Sequence, residues 1–278
     1  MTFVPAHRFV GPADAPALAF VLHGALGSSQ NWVSFVKALA LRTLAVRYVL
    51  VDIRGHGASL GAPGPHGLRA AASDLVALAD DLGRAPSAVI GHSLGGKVAL
   101  EYARVAPDAL EQVWCLDSNP AAQAGAERAH EVFQVLAHVR AVGARPASRA
   151  AAIAELERRG LSPKIARWLG TSLRAELGGY RWTYDFECVE ALLHDYFGRD
   201  FWDYVTAVRE RPVVHLVVAE RSDQWTLGFR EHAAALRANP SVASHLLRDA
   251  GHWVHVDNPD GLLAMLAPEL AAVGGGAS

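Results

Sequence analysis

Short, mostly apolar runs recur along the chain, and each stops abruptly at histidine, glycine or a carboxylate. Residues 18–22 stop at His23-Gly24, 46–51 at Asp52, 88–90 at Gly91-His92 and 113–116 at Asp117; runs at 213–218 and, shorter, 245–247 continue the series. Apolar runs of this length, bounded by turn residues, predict strands buried on both faces. Between them, apolar positions at helical spacing predict helices over 32–41, 68–82, 97–104 and 262–270, the last with Pro259 near its start. Strands alternating with helices predict an α/β fold with a mainly parallel sheet covered by helices.

One region breaks this rhythm. From about residue 121 to 204 no run reads as a buried strand; the stretch is helical, rich in Ala and Arg, and then aromatic. It reads as a helical insertion, a lid over the sheet edge, so the expected organisation is core at 1–119, lid at 120–205 and core again at 206–278. The aromatic half includes Tyr180, Trp182, Tyr184, Tyr196 and Phe197. Most such rings suit the lid's own core, while a few can line an apolar pocket beneath it. The glycine-rich stretch 274–278 reads as a frayed tail.

The candidate chemistry lies where the strands end, because loops at the C-terminal edge of such a sheet carry the functional groups. Gly91-His92-Ser93-Leu94-Gly95 follows a Val-Ile strand and precedes a helix. A strand entering a helix through so sharp a turn holds the serine in a strained conformation and lifts its side chain clear; small residues are needed two positions to either side. Ser93 is the candidate nucleophile, and it needs an imidazole to take its proton and a carboxylate to fix that imidazole. His252, in Asp249-Ala250-Gly251-His252-Trp253 after the last strand, is the candidate base, with His255 its rival; His23, His56 and His92 read as structural. Two carboxylates at strand ends compete for the acid: Asp117, otherwise a turn cap before Asn119-Pro120, and Asp223, otherwise a helix cap. Asp52 stands at a third strand end and reads as held by its own loop. The N–H of Leu94 and that of Ala25, in the turn after His23-Gly24, are the candidate oxyanion-hole donors. Leu26, Trp182, Trp225 and Trp253 are the candidate substrate-binding residues.

Composition narrows the partners. The chain has 278 residues, 51% hydrophobic and 19% charged, with a formal net charge of −2 and no block of like charge. Neither nucleic acid nor an acidic membrane surface is an evident partner. The two cysteines, Cys115 and Cys188, lack metal-like spacing and predict no disulfide framework, which suits the cytoplasm. No signal peptide and no membrane span is expected.

These motifs together resemble the α/β-hydrolase family: His23-Gly24-x-x-Gly27, Asp52-x-Arg54-Gly55-His56-Gly57-x-Ser59, Gly91-His92-Ser93-Leu94-Gly95-Gly96, and Gly251-His252 before Asn258-Pro259. The chain is more closely similar to small abhydrolase-type serine esterases, through Gly27-Ser28-Ser29-Gln30-Asn31-Trp32 and through Lys97 after the elbow. In that subgroup the acid follows the nucleophile by about two dozen residues. The resemblance therefore favours Asp117 over Asp223, although Asp223 holds the more usual acid position of the wider family. The chain departs from the subgroup at Gly55, where relatives often carry Asn, and in a longer lid.

The expected function is hydrolysis of a small-molecule carboxylic ester or thioester through an acyl-serine, with no metal or organic cofactor. Two alternatives keep the same pocket: a carbon–carbon bond hydrolase using the same triad, separable by turnover of vinylogous diketones, and a non-catalytic ligand-binding module, which tolerates loss of Ser93 or His252. Epoxide and haloalkane hydrolysis both call for a carboxylate at the position of Ser93.

Overall fold

The computed structural model describes residues 3–123 and 131–273. The expected tail at 274–278 lies outside the described residues, as does part of the expected lid, 124–130.

Seven strands form the main sheet: β1 (His7–Val10), β2 (Ala17–Leu22), β3 (Val46–Val51), β4 (Ala88–His92), β5 (Gln112–Leu116), and two later strands introduced below. Period-two alternation gives each face of the sheet its own core. Leu18, Phe20 and Leu22 of β2 join one cluster of buried side chains, while Ala17, Ala19 and Val21 join the other. β5 divides likewise, with Val113 and Cys115 on the first face and Trp114 and Leu116 on the second. Both faces are apolar because both are covered. α2 (Leu68–Asp81) and α3 (Leu94–Val105) contribute to the first cluster, and α1 (Val33–Ala40) to the second.

Between β5 and the next strand of the main sheet comes the insertion. It contains α4 (Glu131–Val142), α5 (Arg149–Arg158), α6 (Pro163–Gly170), the strands β6 (Leu173–Glu176) and β7 (Gly179–Trp182), α7 (Phe186–Gly198) and α8 (Trp202–Ala207). Side chains start these helices where orphan N–H groups need acceptors: Ser148 accepts from Ala151 N, Ser162 from Ile165 N and Asp185 from Cys188 N. The buried side chains of the insertion, among them Val139, Leu156, Leu169 and Leu192, belong to the same cluster as α2 and α3. The chain then returns through β8 (Val213–Ala219), α9 (Leu227–Ala235), β9 (Val242–Leu247), α10 (Val254–Asp257) and α11 (Pro259–Ala271), the last helix packing in the α1 cluster.

The strand order is β1-β3-β2-β4-β5-β8-β9. Every neighbouring pair is parallel except β1 with β3, so six of the strands end at one edge, and Ser93, Asp117 and the loop bearing His252 meet there.

Three elements depart from the sequence expectation. β1 went unpredicted because it is a short edge strand without a buried run. The β6–β7 hairpin escaped because only Leu173 and Trp182 among its residues are buried. β9 begins three residues before the expected 245, in a Val-Ala-Ser stretch that is half-buried rather than apolar. Among the described residues no helix is long and apolar enough to cross a membrane.

Candidate active site

The turn from β4 into α3 holds Ser93 at φ 51° and ψ −117°, a left-handed conformation rare for a residue with a side chain. Its N–H donates to Leu116 O of the neighbouring strand at 3.0 Å, which pins the turn to the sheet. Glycine is obligatory around it. A Cβ on Gly91 would lie 2.1 Å from Gly95 O, and one on Gly95 would lie 2.7 Å from His23 O. α3 begins directly at Leu94, so its first N–H groups, which have no carbonyl partner within the helix, stand beside the serine.

The facing loop is built by two buried histidines. His23 donates through Nδ1 to Gly24 O at 2.8 Å and accepts Ile53 N on Nε2 at 3.0 Å. His56 donates through Nδ1 to Arg54 O at 3.0 Å and accepts Leu26 N on Nε2 at 3.2 Å. Each ring therefore needs one protonated and one bare nitrogen, and burial supplies that state: it lowers the pKa of His23 and brings that of His56 down to about 3. The arrangement commits the Leu26 N–H to His56, while Leu26 itself sits at φ 58° with its carbonyl accepting Tyr184 Oη at 2.6 Å. Asp52 is likewise occupied, accepting Ser29 N at 2.7 Å and Ala58 N at 2.9 Å.

Asp117 leaves β5 at φ 44° with no exposed surface. Its Oδ2 accepts the Nδ1–H of His252 at 2.7 Å and the hydroxyl of Ser222 at 2.5 Å, and its Oδ1 accepts Ala219 N at 3.2 Å. Because a carboxylate can only accept here, Nδ1 of His252 carries a proton and Nε2 is the ring nitrogen left for the cavity. Asp223 is solvent-exposed and its Oδ1 accepts from Gln224 Nε2 at 3.1 Å. Its neighbour Ser222, which the sequence did not single out, is the residue that turns inward. α9 is capped by Thr226, whose hydroxyl accepts Phe229 N, and not by Asp223.

His92 holds the His252 loop from below, its Nε2 donating to the carbonyl of His252 at 2.7 Å. Burial, and after it the nearby His252, keep the pKa of His92 well below the usual imidazole value. His255 stacks on Trp32 with centroids 4.0 Å apart, and burial lowers its pKa to about 4.

Ser93, His252, His23, His92 and His255 open onto one cavity of about 870 Å³, lined jointly by the core and the insertion. Ala25, Leu26, Ser93, Leu94, His252 and Trp253 line it from the core side. Val135, Ile165, Trp168, Leu193 and Phe197 give the insertion's side an apolar stretch, and Glu131, Ser162, Lys164 and Tyr196 are its polar lining residues. Asp223 stands at its margin. Two of the candidate substrate residues are elsewhere. Trp182 is buried in the insertion, its Nε1 donating to Gly143 O at 3.0 Å and its ring stacked on Tyr184. Trp225 is buried in the core beneath α9. Neither lines the cavity, because both rings fill packing space; bulky aromatics in sequence do not distinguish the two fates. Lys97 of α3 ties the two sides together: its buried ammonium donates to Ala121 O, Tyr196 O and Arg199 O at 2.8, 2.6 and 2.8 Å.

A serine raised on a strained strand-to-helix turn, at the C-terminal edge of a mainly parallel sheet crossed by a helical insertion, makes this chain an enzyme of the α/β-hydrolase class. The chain belongs to the alpha/beta hydrolase family, whose sequence model matches residues 19–265. It is similar to the sn-1-specific diacylglycerol lipase ABHD11 of Danio rerio, with 29% identity over 90% of this chain and 77% of that one. It is also similar to Esterase YbfF of Escherichia coli (strain K12), with 27% identity over 87% and 89% of the two chains. Among solved structures, a marine microorganism esterase superposes with a TM-score of 0.80 at 21% identity, covering 95% of this chain and 98% of that one.

Proposed function

We propose that this protein hydrolyses a carboxylic ester or thioester through an acyl-serine intermediate. The observation that carries the reading is the 2.7 Å contact between Nδ1 of His252 and the buried Oδ2 of Asp117, with His252 and Ser93 lining one cavity. In this reading the bare Nε2 of His252 takes the proton of Ser93 Oγ as that oxygen attacks the acyl carbon. Asp117 holds the imidazole in the required tautomer and offsets its positive charge, while remaining a carboxylate itself. The N–H groups of Leu94 and Ala25 receive the negative oxygen; Leu26 N is already engaged by His56, which supports Ala25 as the donor from that loop. Collapse expels the alcohol or thiol with the proton from His252, leaving acyl-Ser93. Water then enters, His252 takes one of its protons, and the carboxylic acid departs as Ser93 recovers its proton.

In the same reading residues 120–205 act as a lid between the core segments 1–119 and 206–278. Their apolar wall, with Leu26 and Trp253 opposite, receives the acyl or alcohol group. The names of the relatives, an esterase and a diacylglycerol lipase, support carboxylic esters as the substrate class.

Single-turnover release of p-nitrophenol from short-chain esters tests the proposal. Wild type is expected to give a burst of about one equivalent and Ser93→Ala none. A burst that survives Ser93→Ala would overturn it, as would an active enzyme lacking any acyl adduct on Ser93 by mass spectrometry.

A further inference from the structure

Tyr196, in the last turn of α7, is one of the few insertion residues that bring a polar group to the cavity beside Ser93. Its side chain is 3% exposed, and its phenol oxygen is buried without a hydrogen-bond partner. The hydroxyls of Ser118 and Ser93 lie beside it, yet it completes a bond to neither. Ser118 Oγ is buried and unpartnered too. Buried polar groups are almost always satisfied, so a donor left open next to a reacting atom calls for an explanation.

The ring itself is firmly held. Lys97, one turn into the helix that begins at the elbow, donates to the Tyr196 carbonyl at 2.6 Å, and its ammonium stands 4.6 Å from the ring centroid. Phe197 packs edge-on at 4.9 Å. The same helix thus fixes both the serine and the phenol. Burial, and after it the charge of Asp117, raises the phenol's pKa, so the group is a neutral donor and not a phenolate.

We propose that the O–H of Tyr196 donates to Oγ of Ser93, positioning that oxygen during the reaction and stabilising it as a leaving group when the acyl-serine is hydrolysed. The inference rests on the acyl-serine reading above. Oγ has two lone pairs and one proton. With substrate bound, the proton is given up to His252, one lone pair attacks the carbonyl, and the other accepts from Tyr196. Donation to that lone pair makes Oγ a slightly weaker nucleophile, so acylation gains little. In deacylation the bond between Oγ and the acyl carbon breaks, the electron pair stays on Oγ, and the proton returns from His252. A donor already in place on Oγ assists that departure.

The test is stopped-flow acylation and deacylation of the full chain with p-nitrophenyl butyrate, comparing wild type with Tyr196→Phe. Deacylation is expected to slow roughly 10- to 100-fold, the range for one hydrogen bond to a charged oxygen, and acylation by less than about threefold. The steady-state KM should then fall with kcat, because acyl-enzyme accumulates. The thermal midpoint should stay level or rise, since the variant removes an unpaired buried hydroxyl. Equal slowing of both steps, or no slowing of deacylation, would overturn the assignment. Ser118→Ala removes the other neighbouring hydroxyl and should deacylate at the wild-type rate or faster; a tenfold loss there would assign the effect to Ser118 instead. A wild type without any burst would count against the acyl-serine reading, whereas an intact burst with unchanged partition in Tyr196→Phe counts against Tyr196 alone.

Discussion

Oδ2 of Asp117 accepts the Nδ1–H of His252 at 2.7 Å, although 135 residues of chain separate the two. The carboxylate reaches that position because β5 is the central neighbour of both β4, which delivers Ser93, and β8, whose end supplies Ala219 N and Ser222 as further donors. Asp117→Asn preserves shape but removes the charge and lets an amide N–H face the imidazole, which favours the wrong tautomer. The expected loss in kcat is on the order of 10⁴-fold, as in serine hydrolases whose acid is so replaced. Asp223→Asn, at an exposed carboxylate bonded to Gln224, should stay within about threefold of wild type. Initial rates on p-nitrophenyl acetate decide this, and the reverse ranking would transfer the acid role to Asp223.

Ser222 tests the same carboxylate from its other side. Its hydroxyl donates to the oxygen that also serves His252, at 2.5 Å. Ser222→Ala removes one donor and leaves the geometry of the pair, so kcat should fall only about tenfold, the worth of one hydrogen bond to a charged group. The loss should be much smaller in an Asp117→Asn background, where the charge is already gone. Full additivity of the two losses would show that Ser222 does not act through Asp117.

Gly91 and Ser93 make the elbow legible in the sequence. A Cβ at Gly91 would lie 2.1 Å from Gly95 O, and backbone cannot yield as a flexible side chain can. Gly91→Ala should therefore cost about 3 kcal/mol or more in urea denaturation, and much of the activity with it. A stability change under 1 kcal/mol would mean that the turn relaxes freely.

The strand-end loops of the candidate site and the parallel strands could be read from sequence because their constraints are local: apolar runs buried on two faces, glycines where only glycine fits, and polar residues at strand ends. The roles that stayed open depend on contacts made across the fold. Asp117 and Asp223 both end a strand, and what separates them is the direction of each side chain after its turn. Asp117 leaves at φ 44° with its carboxylate inward, and at the other strand end Ser222, one residue earlier, takes the inward place. Trp182 and Trp225 were indistinguishable from pocket aromatics, since a ring that fills a core and a ring that lines a cavity have the same composition. For the same reason nothing in the sequence separates Tyr196 from the other rings of its aromatic stretch. The hairpin of β6 and β7 left no apolar run because only Leu173 and Trp182 of its strand residues are buried.

The histidines set the response to acid. Burial holds the folded-state pKa of His56 and of His215 at about 3, and lowers those of His23 and His92 as well. In the unfolded chain each titrates near the ordinary value of about 6.5. Above that pH neither state is protonated and the stability is complete. As pH falls below it the unfolded chain gains protons that the folded chain does not, so stability is lost continuously down to the folded values. A single histidine held at about 3 accounts for roughly 2 kcal/mol by pH 5. Urea midpoints should thus drop steeply between pH 7 and pH 5. His215→Phe keeps a flat ring on Trp114, which His215 now stacks at 3.8 Å, and should make that drop shallower. A pH-independent midpoint over this range would contradict the neutral, buried state of these rings.

The cavity wall supplied by the insertion sets the last expectation. Val135, Leu193 and Phe197 present no charge to the interior, and Ile165 and Trp168 of α6 add to that apolar surface. Trp168 packs against Trp253 at 4.9 Å, and Lys164, which also lines the cavity, pairs with Asp257 at 3.4 Å. An acyl chain that extends along this wall gains burial with each methylene, about 0.8 kcal/mol or nearly fourfold in kcat/KM, until the wall ends. A series of p-nitrophenyl esters from acetyl to decanoyl should therefore climb and then turn over. Ile165 is only partly buried, so Ile165→Trp can be accommodated while filling the cavity, and it should move the optimum to shorter chains without changing the rate on acetyl ester more than about threefold. A flat profile in wild type would place the acyl group outside this wall; a profile that climbs but does not shift in Ile165→Trp would place it along Leu193 and Phe197 instead.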